Sequence, residues 1–135
     1  MKRRDARETA FTLIFERSFR EESLDNIIRS AVIGRGIEVD EYAYKLADLT
    51  FDNLSVIDQK IEAHLTGWKI SRISRVTLAL LRLAICEIDH FADIPVSVTI
   101  NEAVELTKKY AGEEDASYLN GVLGGYVKSA NPTKA

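Results

Sequence analysis

The stretch VTLALLRLAICEI, residues 76–88, constrains the fold of this chain more than any other segment. At helical spacing it is apolar almost all round, and only Arg82 and Glu87 are charged. A helix without a polar face has to be covered on every side. It is shorter than the ~20 apolar residues that a bilayer span needs, so the cover must come from the rest of the chain. The segment reads as a central core helix with other elements packed around it.

The flanking sequence supplies helices for that purpose. Ala6, Ala10, Phe11, Ile14 and Phe15 recur at steps of three and four along residues 4–19, with Leu13 further round. Ser23 caps a second helix carrying Leu24, Ile27, Ile28, Ala31 and Val32; Asp25 sits in its first turn, and Gly34 and Gly36 then break the chain. Asp40 caps a long third helix reaching about residue 66 and ended by Gly67. It carries one stripe of Ala43, Leu46, Ala47, Leu54, Ile57, Ile61 and Leu65, and another of Tyr42, Leu49 and Val56. Residues 68–74 read as a short helical turn. Beyond the core helix, Thr99-Ile100-Asn101-Glu102 fits a T-x-x-E capping box, opening a helix that stops at Gly112. Asp115 caps the last helix, with Leu119, Val122, Leu123, Tyr126 and Val127 inward, and Asn131-Pro132 stops it. No β alternation and no internal repeat is visible. The fold class is all-α, about seven helices joined by short links that favour antiparallel packing.

Length and composition agree. The 135 residues suit one compact domain over residues 1–135, with 46% apolar and 29% charged side chains. No membrane span is expected, and no uncharged apolar segment follows the basic N-terminus as a secretory signal requires. A single cysteine, Cys86, allows no intramolecular disulfide, and a reducing cytoplasm is the expected setting.

Charge is unevenly placed. The chain carries a net charge of -3, yet Lys2, Arg3, Arg4 and Arg7 stand at its start. The positive end of a helix dipole disfavours cations by roughly 0.3–1 kcal/mol each, which Asp5 and Glu8 offset only in part. Such a charge run is commonly just a solvated end, but a local cost without visible structural return makes it a candidate site for nucleic acid or another anion, and arginine suits bidentate phosphate contacts. Between Gly67 and Cys86, Lys69, Arg72, Arg75 and Arg82 occur without an acid. Lys69, Arg72 and Arg75 share a face if that segment is helical. His64 and Trp68 lie nearby, and cations interleaved with rings suit single-stranded RNA, although Trp68 serves equally as a core residue. Residues 38–62 hold seven acids against two lysines, a side that repels a polyanion. Tyr118, in ASYLNGVLGGY, either stacks a base or packs.

Catalysis finds little support. There are two histidines, His64 and His90, with no H-E-x-x-H spacing, no cysteine pair and no glycine-rich phosphate loop. Cys86 lies in the most apolar helix, where a thiol is inert. No catalytic residue, metal site or cofactor is expected.

The order R-R-x-A-R, an amphipathic helix, LALLRLAICEI, IPVSVTINEAVELTKKY and LNGVL resembles the NusB family of bacterial transcription antitermination factors over nearly the full chain, most specifically over residues 93–123. The family includes the N-terminal domain of a ribosomal RNA cytosine methyltransferase; this chain is too short for that enzyme's catalytic domain, so a stand-alone factor is expected. The resemblance implies two small helical bundles. It also implies binding of boxA RNA together with ribosomal protein NusE, in an RNA polymerase antitermination complex acting on ribosomal RNA operons. By the same resemblance the RNA contacts fall on Lys2, Arg3, Arg4, Arg7, His64, Glu114, Asp115 and Tyr118, and the NusE contacts on Phe15, Val76 and Thr77. His64 stands where the family has a tyrosine, and Thr77 near a position that often carries an acid. An exposed apolar partner surface could also self-associate into a homodimer. The other reading is a helical protein-interaction adaptor without RNA contact.

Overall fold

The computed structural model describes residues 1–65 and 69–130. Trp68, Gly67 and the Asn131-Pro132 stop lie outside the described residues. Seven helices, and no strand among the described residues, follow in the order α1 (Arg3–Arg17), α2 (Leu24–Arg35), α3 (Glu41–Asp52), α4 (Leu54–Glu62), α5 (Arg75–His90), α6 (Val96–Tyr110) and α7 (Glu113–Ala130), with a 3₁₀ turn at Ile70–Arg72 before α5. The all-α expectation holds. Helix α1 packs on α2 and α3, while α4, α6 and α7 gather on α5, which also touches α1 and α3. Two small bundles therefore share the central helix.

Helix α5 is central because it cannot be anything else. Leu80, Leu81, Leu83, Ala84, Ile85, Cys86 and Ile88 are all withdrawn from water. One apolar cluster joins them to Phe11 and Ile14 of α1, Ile27 of α2, Leu46 of α3, Ile57 and Ile61 of α4, Leu106 of α6 and Leu119 of α7. Burial of one large aliphatic side chain is worth about 1.5–3 kcal/mol, so this cluster is the main cohesive term. Arg82 leaves the apolar face to meet Asp58 of α4 with two hydrogen bonds of 2.8 Å.

Several helix ends follow the sequence. Ser23 accepts from the Asn26 amide at 3.2 Å and Asp40 from the Ala43 amide at 2.8 Å. Gly36 ends α2 at φ 64°, a left-handed conformation that glycine adopts without strain; Gly34 stays inside that helix. Gly112, at φ 106°, turns the chain between α6 and α7.

Three boundaries differ from expectation. The long third helix is two helices, broken at Asn53 (φ -116°, ψ 18°). The Asn53 side-chain amide donates to the Leu49 carbonyl at 2.7 Å, and its backbone N–H is shared between Leu49 and Thr50. Such local bonding competes with helix propagation, and beyond the break Val56 is half exposed instead of packed. Helix α6 begins right after Pro95, so Thr99 and Glu102 lie inside it and form no capping box. Asp115 is likewise in the first turn of α7 and not its cap.

Candidate nucleic-acid interface

Arg7 is the first surprise of the N-terminal cluster. It lies on the same face of α1 as Phe11 and Ile14, four and seven residues on, and is only 3% exposed. Its Nε stands 3.0 and 2.8 Å from the two carboxylate oxygens of Glu87 on α5. Glu87, also fully buried, accepts further hydrogen bonds from the Tyr42 hydroxyl and, at 2.6 Å, from Thr99 Oγ1. A buried charge is tolerated only when paired and hydrogen-bonded, and these donors meet that condition. Arg7 is thus a structural residue. Enclosed against Glu87, its side chain is not presented at the surface beside those of Arg3 and Arg4. Thr99 and Glu102, read from sequence as a cap, belong to the same network: Arg7 Nη1 lies 3.6 Å from Glu102.

The arginines one turn earlier face outward. Arg4 is held along one edge, with Nε 3.0 Å from Glu102 Oε1 and Nη2 2.8 Å from Oε2, while its side chain remains 69% exposed. The Arg4 hydrogen bond keeps the Glu102 carboxyl below the ordinary glutamate range. The Arg3 guanidinium lies over the Tyr42 ring at 3.9 Å, a cation–π contact. Lys2 is exposed at the N-cap of α1. The result is a cationic edge with two ordered guanidiniums, built on the buried network.

The remaining candidates lie elsewhere. The His64 ring bonds the Lys60 carbonyl through Nδ1 at 2.9 Å and Ser129 through Nε2, and packs edge-on against Tyr126. Tyr126 is eight residues past Tyr118 on α7, about 12 Å along the axis, so His64 belongs to the far end of that helix. Glu114, Asp115 and Tyr118 line a cleft of about 260 Å³ with Arg72, Ile73, Ser74 and Thr77. The Tyr118 hydroxyl is buried there without a hydrogen-bond partner among the described residues. Asp115 accepts from Thr77 Oγ1 at 3.1 Å and from Ser74 at 3.3 Å. Thr77 is buried, so its side chain is not presented to a partner as expected; Val76 beside it is half-buried. Lys69, Arg72 and Arg75 are exposed, but the extended backbone at Ile73 and Ser74 separates them, so they share no single helix face.

Phe15 sits in an aromatic row. Its ring centroid is 5.9 Å from Phe11 and 5.0 Å from Phe19, Phe11 meets Tyr110 at 4.9 Å, and Arg75 caps Phe19 at 4.3 Å. Phe19 is 56% exposed. Phe15 and Arg75, the first residue of α5, thus both neighbour Phe19. Cys86 is buried with its thiol pushed up to about 12 by burial, and among the described residues no cluster of metal-ligating side chains occurs.

Sequence reasoning missed Glu87, Glu102 and Tyr42 as supports. One signal was present: a glutamate in an otherwise apolar helix requires a buried cationic partner.

The chain is similar to known proteins over nearly its whole length. A family model described as the NusB family matches residues 4–128. A transcription antitermination protein NusB from Acetivibrio thermocellus is 46% identical over 95% of this chain and 90% of its own length. Another, from Listeria monocytogenes, is 41% identical over 91% of this chain and 94% of its own. Among solved structures, a NusB–NusE complex with double-stranded RNA contains a chain that superposes with a TM-score of 0.84 at 32% identity, covering 94% of this chain and 96% of that one. NusB from T. maritima gives 0.82 at 33%, covering 95% and 92%.

Proposed function

The chain belongs to the NusB family, and on that premise we propose that it is a transcription antitermination factor that binds boxA-type single-stranded RNA together with ribosomal protein NusE. The observation that carries this reading is the ordered cationic edge of Lys2, Arg3 and Arg4, with Arg3 set on Tyr42 and Arg4 on Glu102. Phosphate recognition needs outward guanidiniums held in place, and these two are. The solved complex of NusB and NusE with RNA supports both partners. Phe15, beside exposed Phe19, and half-buried Val76 offer NusE an apolar surface, and Glu114, Asp115 and Tyr118 offer RNA a cleft. His64 joins the RNA surface only from the opposite end of α7. The protein acts by binding, without turnover, in the cytoplasm and within an RNA polymerase complex; in the absence of NusE the aromatic row would support a homodimer. None of its helices, among the described residues, is long and apolar enough to cross a membrane.

The test is the affinity of a boxA RNA oligonucleotide at two salt concentrations, with and without NusE. Affinity that rises with NusE and falls steeply with salt is expected. Absence of RNA binding in both cases overturns the reading in favour of a protein-only adaptor.

A further inference from the structure

We propose that Glu102 is a positioning residue for RNA binding, aiming Arg4 at a phosphate. The inference rests on the RNA reading above. Guanidinium has two edges that can each meet an oxyanion with paired N–H groups: the side edge of Nε and one Nη, and the end edge of both Nη atoms. Glu102 fills the side edge, at 3.0 and 2.8 Å. The end edge is left for a ligand, on a side chain 69% exposed. The carboxylate is itself fixed, being nearly buried and drawn at Oε1 by Arg7 Nη1 at 3.6 Å as well. Arg7 is anchored in turn by Glu87. The chain of contacts runs from a buried ion pair to an exposed fork and removes rotamer freedom before RNA arrives.

Electrostatics alone predicts the opposite effect. A carboxylate beside a phosphate repels it, so removing the charge would strengthen binding. A loss of affinity on neutralising Glu102 therefore separates aiming from charge.

The experiment is a double-mutant cycle of Glu102→Gln and Arg4→Ala, read as the affinity of folded protein for the boxA-type RNA. Immobilising a long side chain in advance is worth on the order of two- to tenfold in affinity. Glu102→Gln is expected to weaken binding by that factor in the unaltered background and to cause no loss in the Arg4→Ala background. Unchanged or tighter binding of the single variant overturns the inference, as does an equal loss in both backgrounds. If Glu102→Gln does not fold, Glu102→Asp, which keeps the charge but shortens the reach, replaces it in the same cycle with the same expected pattern. If the unaltered protein binds no RNA, the functional reading falls and takes this inference with it. If it binds, and Arg3→Ala weakens it while Glu102→Gln does not, only the role of Glu102 falls.

Discussion

The Arg7 guanidinium lies against the Glu87 carboxylate, 2.8 Å at the nearer oxygen, with both side chains shut away from water between α1 and α5. Removing one partner strands a buried charge, which costs about 3–5 kcal/mol. Arg7→Ala is therefore expected to lower stability by that amount in urea denaturation. Replacing both residues by apolar ones recovers only part of the loss, because Tyr42 and Thr99 still point donors at position 87. Arg3→Ala, which breaks no ion pair, should leave the melting temperature nearly unchanged while weakening RNA binding. An Arg7→Ala protein as stable as the parent would end the structural assignment.

That contrast shows how far sequence carries. Arg3, Arg4 and Arg7 are the same residue type within two turns, and dipole cost treats them alike. What separates them is which face meets α5, and Arg7 shares its face with Phe11 and Ile14. The central helix, the caps at Ser23 and Asp40 and the turn at Gly36 were legible because propensity, periodicity and local hydrogen bonding agree there. Thr99 and Glu102 were misread because a T-x-x-E spacing serves two purposes: reciprocal capping, or two polar groups on one helix face. Pro95, four residues earlier, marked the true start. The break at Asn53 depends on one side chain turning onto its own backbone, a choice that periodicity does not record. The cleft at Asp115 joins α5 to α7 and is a product of tertiary packing.

Acid should weaken the fold through Glu102. Its carboxyl titrates below the ordinary glutamate value of 4.5 because Arg4 hydrogen-bonds it. A lowered folded pKa means that the contribution is fully present above the unfolded value and is lost as pH falls through the folded one. Melting temperatures measured from about pH 5 to about pH 3 should therefore fall less steeply for Glu102→Gln than for the parent. Parallel slopes would show that the Arg4–Glu102 pair does not contribute to acid sensitivity.

Cys86 should resist thiol reagents. Burial raises its pKa to about 12, and the thiolate is the reactive form. At neutral pH labelling should await unfolding, so its rate should rise with urea in step with the loss of helical circular dichroism. Rapid labelling of the native protein would contradict the packing of α5.

Asp115 and Thr77 supply a test of what the α5–α7 cleft is for. The Thr77 hydroxyl is buried and donates to Asp115 at 3.1 Å, with Ser74 bonding the same oxygen at 3.3 Å. Asp115→Ala leaves a buried donor without its acceptor and is expected to cost about 1–3 kcal/mol. Thr77→Val removes that donor, so the double variant should lose less than the sum of the two single changes. Because the Thr77 side chain is enclosed, Thr77→Val should leave NusE affinity within about twofold of the parent, the size of change expected where no direct contact is lost. A tenfold loss of NusE binding in a Thr77→Val protein of unchanged stability would return Thr77 to the partner surface and require the cleft to open on binding.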